Sequence, residues 1–240
     1  MDRLQSSFMN QQYKHLFFDL DHTLWDFDTN TREVLGDIYT QMQLAKYGVR
    51  SVEAVLDQFH LVNKVLWDQY NKGMIDKEFI RANRFLRVLQ NLGVNDPKLC
   101  KEVGDYFLDH NPRRGNVIEG ALDILEYLRS RYVLHILTNG FDTIQEIKMQ
   151  TSGLSPFFSE LITSESSGFR KPHRGFFDFS LRQTGSQAGE VIMIGDNLET
   201  DIKGARGAGI DQVYFNPYKR AHSEQVTHEI SHLLQLKDIL

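Results

Sequence analysis

The sequence predicts an α/β protein in which strands and helices alternate to build a doubly wound parallel sheet, with an all-helical insertion after the first strand. Five short apolar runs, rich in β-branched and aromatic residues, have the composition of strands buried on both faces. Helical patterns separate the later runs, and this alternation is typical of a Rossmann-like core. A long interval after the first run shows helical periodicity and no convincing strand, which indicates the insertion.

The individual strands and helices are predicted from residue type and from the spacing of apolar residues. Short apolar runs predict strands at 15–20, 132–138, 158–163, 190–194 and 212–215. Apolar residues at helical spacing predict helices between the later strands, at 120–131, 143–152, 174–184 and 200–208.

The interval that breaks this alternation has its own helical pattern. Leu56, Phe59 and Val62 fall on one helical face, and turn residues at 71–74 and 93–97 divide the interval into four helices. The predicted organisation is a core of residues 12–26 plus 112–240, a helical domain of residues 27–111, and a loose leader of residues 1–11.

Composition narrows the class of protein. The chain has 240 residues, 41% of them hydrophobic, and a formal net charge of -5 from 27 basic and 32 acidic residues, so we expect a globular protein without affinity for nucleic acid polymers. Cys100 is the single cysteine, which excludes an intramolecular disulfide and is expected to pack in a helix. The polar amino terminus resembles neither a signal peptide nor a membrane anchor. We expect a cytoplasmic monomer or small homo-oligomer with no membrane partner.

The most informative motif is a pair of carboxylates directly after the first apolar run. Asp19 and Asp21 stand two residues apart, so strand periodicity points both side chains the same way. Two neighbouring carboxylates are costly unless a cation neutralises them, and Mg²⁺ is a usual partner of clustered oxygen ligands. The pattern therefore predicts a metal-dependent active site, with an acidic turn as the simpler alternative.

Three later strand ends also carry polar groups, and ligands of open α/β sheets bind beyond such ends. Thr138 and Asn139 offer a hydroxyl and an amide after the second predicted strand, although a plain turn has the same composition. Lys171 precedes a proline that disfavours helix, and alone it would be interpreted as a surface lysine. Asp196 and Asp201 follow the fourth predicted strand and supply further carboxylates.

Taken in order, Asp-x-Asp-x-Thr, Thr138, Lys171 and Gly-Asp-Asn-x-x-x-Asp resemble the motifs of the haloacid dehalogenase superfamily of hydrolases over nearly the whole chain. The helical insertion is placed like the first-type cap domain of that superfamily. The resemblance implies a catalytic set whose roles are as follows: Asp19 as the nucleophile that forms an aspartyl-phosphate; Asp21 as the general acid and base; Thr138, Asn139 and Lys171 as ligands of the phosphoryl group; Asp19, the backbone carbonyl of Asp21 and Asp196 as ligands of Mg²⁺; and Asp201 as a water-mediated or supporting metal partner.

The resemblance also implies a reaction. Dehalogenases and transport ATPases of the superfamily lack an acid at the position of Asp21, so its presence favours a phosphatase acting on a small phosphorylated metabolite. The pattern looks most like bacterial pyrimidine 5′-nucleotidases, and the aromatic residues Trp67, Tyr70 and Phe85 of the insertion would suit a nucleobase or simply fill a helical bundle. Two alternatives stay open: a β-phosphoglucomutase-like phosphoryl transfer, and a binding or regulatory module without turnover.

Two further features are predicted to be structural. Arg81, Arg84 and Arg87 recur every three residues, which is typical of a solvated helix face, although one of them reaching the substrate is an alternative. His135 lies inside a predicted strand and is expected to be a hydrogen-bonded core histidine.

Overall fold

The computed structural model describes residues 12–240 and divides them into two compact units. The first unit consists of residues 12–26 together with Gly115–Leu240, and the second, here called the helical unit, is Phe27–Arg114. The predicted leader of residues 1–11 lies outside the described residues. Within residues 12–240, no helix combines the length and the apolarity that crossing a bilayer requires.

The first unit contains a six-stranded sheet in which every neighbouring pair is parallel, in the order β3-β2-β1-β4-β5-β6. The predicted doubly wound α/β class is confirmed, and all five predicted strands are present with shifted ends. The sixth strand was not predicted because it is only a three-residue segment with one buried side chain. The strands are β1 His15–Phe18, β2 Val133–Thr138, β3 Glu160–Thr163, β4 Val191–Gly195, β5 Asp211–Phe215 and β6 His228–Ile230.

The register of the central strands places their carboxyl ends side by side. Phe18 at the end of β1 lies opposite Ile136 of β2 and Ile194 of β4. All three side chains are fully buried, so the hydrophobic core extends to within two residues of the end of each of these strands. The chain therefore leaves β1, β2 and β4 at the same side of the sheet, where the carboxyl ends of the parallel strands lie.

The helical unit has four α-helices, as the turn residues predict. Ser51, Asp76 and Asp96 cap the second, third and fourth of them by accepting backbone N–H groups of the first turn. The unit ends beyond the predicted residue 111, because Arg114 forms ion pairs with Glu33 and Asp37 of its first helix. The helices are α1 Phe27–Gln41, α2 Val52–Asn71, α3 Lys77–Asn91 and α4 Pro97–His110, with 3₁₀ turns at Leu44–Tyr47 and Asn111–Arg113.

One prediction for the helical unit was wrong. Arg84 is only 9% exposed, whereas Arg81 on the same helix is exposed. Its guanidinium lies over the rings of Phe59 and Phe107, 5.8 and 5.6 Å from their centroids. A spacing of three residues therefore does not keep these arginines on one solvated face. Cys100 is buried in α4, as predicted.

All four helices predicted in the first unit are present, one of them partly as a π-helix, and the short helix at Ser164–Ser167 was not predicted. The predicted helix at 200–208 begins earlier, as a π-helical turn at Leu198–Lys203, and continues as a short α-helix. The helices are α5 Ala121–Leu128, α6 Asp142–Thr151, α7 Ser164–Ser167, α8 Arg174–Thr184 and α9 Gly204–Gly207, with 3₁₀ turns at Ser155–Phe157, Ala188–Glu190 and Leu233–Asp238.

Candidate active site

The predicted site residues of the first unit collect at the carboxyl edge of its sheet. Asp19 directly follows β1, Thr138 is the last residue of β2, and Asp196 directly follows β4. Lys171 lies in the loop between α7 and α8, and Asp201 lies in the π-helical turn after β4. Ion pairs and hydrogen bonds connect these residues in two groups.

Lys171 is the centre of the first group. Its side chain is 2% exposed, and its Nζ donates to Oδ1 of Asp19, to Oδ1 of Asp201 and to the carbonyl oxygen of Leu137, each at 2.7 Å. These three bonds use all three protons of the ammonium group. Burial acts to lower the pKa of Lys171, but the carboxylates of Asp19 and Asp201 outweigh burial and raise it. Lys171 is therefore a buried cation and not a surface lysine.

Three carboxylates lie close together at this place, and Lys171 donates to two of them, Asp19 and Asp201. One oxygen each of Asp19, Asp196 and Asp201 lies within 4.8 Å of the others. Burial raises the pKa of Asp19 to about 7 even though Lys171 opposes the shift, and burial together with the charges of Asp19 and Asp201 raises the pKa of Asp196 well above its usual range. When all three carboxylates are ionised, the cluster carries more negative charge than the single ammonium group of Lys171 neutralises.

The same cluster fits a hard divalent cation. Every donor is a carboxylate oxygen, the ligand type that Mg²⁺ prefers, and the three oxygens lie within 4.8 Å of one another. Asp19 and Asp201 are buried, while Asp196 keeps partial exposure. Asp19, Asp196 and Asp201 would therefore hold the ion, and the backbone carbonyl of Asp21 stays a predicted further ligand.

The carboxylate of Asp21 belongs to the second group. Lys148 Nζ donates to its Oδ1 at 2.5 Å, and Gln145 Nε2 donates to its Oδ2 at 2.9 Å. Burial acts to raise the pKa of Asp21, but Lys148 and the hydrogen bonds from both residues outweigh burial and lower it. The side chain keeps 26% of its surface exposed, which leaves it open to proton transfer.

Sequence reasoning missed Gln145 and Lys148. Both lie on α6, three residues apart, so they share a helix face, and both are buried. Helix α6 begins shortly after Thr138, the last residue of β2. This position could have drawn attention to polar residues at helical spacing on the buried side of the helix. No short motif marks them, and α6 was predicted from its apolar positions alone.

The side-chain amide of Asn139 contacts the loop that carries Lys171. Its Oδ1 accepts the backbone N–H of Lys171 at 2.7 Å, and its Nδ2 donates to the carbonyl oxygen of Lys171 at 2.9 Å. The amide therefore fixes this loop. The role of Asn139 in phosphate binding stays a prediction.

Two glycines make room for the charged side chains. A Cβ on Gly195 would lie 2.3 Å from Oδ2 of Asp201, and a Cβ on Gly140 would lie 2.3 Å from Nε2 of Gln145. Such distances are far below van der Waals contact, so a side chain at either position would displace a residue of the site.

Comparison with known proteins identifies the family. A family model described as haloacid dehalogenase-like hydrolase matches residues 13–209. The chain belongs to the haloacid dehalogenase-like hydrolases. Its relatives include the pyrimidine 5′-nucleotidase PynA of Streptococcus pneumoniae, 33% identical over 95% of both chains, and the pyrimidine 5′-nucleotidase YjjG of Escherichia coli, 30% identical over 94% of this chain and 96% of the relative.

The three-dimensional comparison agrees with this assignment. The structure of the HAD-hydrolase YfnB from Bacillus subtilis bound to magnesium superposes with a TM-score of 0.84 at 27% sequence identity, covering 95% of this chain and 98% of YfnB. The predictions of the superfamily, of a hydrolase and of the α/β core are confirmed. The individual roles assigned to the haloacid dehalogenase-type site residues stay predictions.

Proposed function

We propose that this protein is a Mg²⁺-dependent phosphatase that hydrolyses a small phosphomonoester through an aspartyl-phosphate on Asp19. The observation that carries the proposal is the position of Asp19. It is buried against Lys171 and belongs to a cluster of three carboxylates, while Asp21 two residues later has separate partners. Two carboxylates in different environments are suited to two different roles.

The surroundings of Asp19 are those a carboxylate nucleophile needs. A phosphate monoester is a dianion and repels carboxylates, so attack requires positive charge at the site. Lys171 supplies one positive charge, and Mg²⁺, when bound, would supply charge that offsets the dianion and holds the phosphoryl group in line. Attack by Oδ of Asp19 forms a new P–O bond as the bond to the leaving oxygen breaks.

Asp21 is placed for the proton transfers of this reaction. It gives a proton to the leaving oxygen in the first step and takes a proton from the attacking water in the second. Lys148 and Gln145 lower the pKa of Asp21 in the free enzyme, against the effect of burial. The negative charge of the bound phosphate dianion opposes ionisation of Asp21, so Asp21 takes up a proton when the substrate binds. Water attack on phosphorus then releases inorganic phosphate and restores the Asp19 carboxylate.

We further propose that the substrate is a nucleoside 5′-monophosphate. The support is the similarity to PynA and YjjG, both named as pyrimidine 5′-nucleotidases, over nearly the whole of each chain. Of the aromatic residues considered for a nucleobase, Tyr70 and Phe85 are buried in the core of the helical unit, whereas Trp67 is half-buried. Trp67 therefore remains the candidate for stacking on a base.

The test is a substrate panel assayed for inorganic phosphate release with Mg²⁺ and with EDTA. We expect turnover of pyrimidine nucleoside 5′-monophosphates above that of sugar phosphates, loss of turnover in EDTA, and no activity of Asp19→Asn. The matched control is Asp123→Asn, which makes the same chemical change at an exposed residue of α5 and should retain activity.

Each alternative has its own signature in the same assay. Equal or better turnover of sugar phosphates would refute the nucleotidase assignment and leave the phosphatase in place. Isomerisation of a hexose phosphate without phosphate release would indicate a β-phosphoglucomutase-like transfer. Absence of turnover with every ester would refute the enzyme and favour a binding module.

A further inference from the structure

Gln145 connects two residues of the site with one side-chain amide. It is fully buried on α6, and its Nε2 donates to Oδ2 of Asp21 at 2.9 Å and to Oγ1 of Thr138 at 2.7 Å. An amide nitrogen has two protons, so both are used. The remaining atom, Oε1, is buried and has no hydrogen-bond partner among residues 12–240.

The orientation of this amide follows from its partners. An ionised carboxylate only accepts hydrogen bonds, so the nitrogen and not the oxygen of the amide must face Asp21. This orientation leaves Oε1 without a hydrogen-bond partner, which is unfavourable for a buried polar group. Gly140 leaves space for the amide, since a Cβ there would lie 2.3 Å from Nε2. Local packing therefore maintains an orientation of the Gln145 amide that leaves one of its polar atoms without a hydrogen bond.

The hydrogen bond to Thr138 fixes the direction of its hydroxyl proton. Oγ1 of Thr138 accepts from the backbone N–H of Gly140 at 3.0 Å and from Nε2 of Gln145 at 2.7 Å. A hydroxyl group has two acceptor positions, so both are filled and its own proton must point elsewhere. In the described part of the chain, Thr138 Oγ1 donates to no other group. Thr138 is only 2% exposed, and its hydroxyl therefore presents a donor that no described protein group accepts.

We propose that Gln145 is a positioning residue that turns the Thr138 hydroxyl into an obligatory donor towards a phosphoryl oxygen and holds the Asp21 carboxylate in place for proton transfer. The inference rests on the proposed phosphatase function. Lys148, one helical turn later, occupies the other oxygen of Asp21, so the carboxylate is held at both ends. Donors fixed before the substrate arrives need no reorganisation during the reaction, which is how preorganised sites stabilise a transition state.

The test compares two esters on the same enzyme. An aryl ester such as p-nitrophenyl phosphate expels its leaving group without a proton, whereas a nucleoside 5′-monophosphate expels an alkoxide that needs the proton of Asp21. The variants are Gln145→Met, which keeps the length of the side chain and removes both hydrogen bonds, and Gln145→Glu, which replaces the donors by acceptors. The matched control is Gln150→Met, at an exposed glutamine of α6.

We expect kcat/KM for the aryl ester to fall about tenfold in Gln145→Met and kcat/KM for the nucleotide to fall about 10²–10³-fold, since general acid catalysis contributes about 10²–10⁴-fold. The ratio of the two values is independent of the folded fraction, so a partly unfolded variant is still informative. An unchanged ratio in both Gln145 variants would overturn the positioning of Asp21.

The effect on Thr138 has a separate readout. Gln145→Met should weaken competitive inhibition by inorganic phosphate in the wild-type background and have no further effect in Thr138→Val, because Gln145 acts through that hydroxyl. Equal weakening in both backgrounds would overturn this part of the inference. Failure of the proposed function looks different: a wild-type protein that hydrolyses neither ester would refute both the phosphatase and the inference that rests on it.

Discussion

Neutralising Asp196 should stabilise the metal-free protein and remove its response to Mg²⁺. Oxygens of Asp19, Asp196 and Asp201 lie within 4.8 Å of one another, and the ammonium group of Lys171 donates to two of these carboxylates, Asp19 and Asp201. At this separation each like-charged pair repels by about 3.5 kcal/mol for an effective dielectric constant of about 20. Asp196→Asn removes two such pairs but also the attraction of Asp196 to Lys171. We therefore expect a net gain of about 1–3 kcal/mol in the free energy of unfolding in EDTA.

Magnesium should stabilise the wild type much more than it stabilises Asp196→Asn. A ligand that binds only the folded state stabilises it by about 2.7 kcal/mol at a concentration of about 100 times its Kd. The wild type should gain this amount, and Asp196→Asn, which lacks one proposed ligand, should gain little. The assay is urea unfolding followed by circular dichroism, at one fixed pH, in EDTA and in excess MgCl₂.

The control for this experiment is Asp123→Asn on α5, an exposed carboxylate whose loss should change the free energy of unfolding by less than about 0.5 kcal/mol in either buffer. Two results would refute the reasoning. Destabilisation of Asp196→Asn in EDTA would show that the cluster is not a site of net repulsion. Equal stabilisation of both proteins by Mg²⁺ would show that Asp196 does not bind the ion.

Three further predictions concern Lys171, Gly195 and His135 of the first unit. Lys171→Met should lower the free energy of unfolding by about 3–5 kcal/mol in urea, because it leaves buried carboxylates without their cation. Gly195→Ala should weaken Mg²⁺ binding in titration calorimetry, because its Cβ would lie 2.3 Å from Oδ2 of Asp201. Burial lowers the pKa of His135 to about 4, with His15 acting in the same direction, so the unfolded chain binds more protons than the folded one below pH 6.5. Stability should therefore fall by about 1–3 kcal/mol between pH 6.5 and 4, and His135→Leu should lose this slope in denaturation at several pH values.

Much of the fold is predictable from the sequence because its strands are buried on both faces. The runs that became β1, β2 and β4 are nearly continuous apolar segments, and such segments identify strands of a parallel sheet without further information. β6 escapes this criterion because a three-residue edge strand with one buried side chain has no periodicity to detect. His135 is the expected core histidine, hydrogen-bonded to His15 at 3.0 Å.

Asp19, Thr138 and Asp196 could be proposed as site residues because the end of a parallel strand is a defined place in the fold. Lys171 follows a short helix, and it could be proposed only because the order of the motifs resembles that of a known family. Gln145 lies on a helix and reaches the site through its side chain, which no local pattern encodes. The prediction that Arg84 lies on a solvated face was wrong for a related reason. Periodicity gives the spacing of residues along a helix, whereas burial over two aromatic rings depends on how neighbouring helices pack.

The most direct test of the account is chemical trapping of the covalent intermediate on Asp19. The enzyme would be quenched during turnover of the best phosphomonoester with Mg²⁺, reduced with borohydride, which converts an aspartyl-phosphate to homoserine, and digested for mass spectrometry. We predict modification at residue 19 alone, dependent on substrate and lost in Asp19→Asn. Rapid phosphate release with residue 19 unmodified, or modification at another carboxylate, would contradict the account.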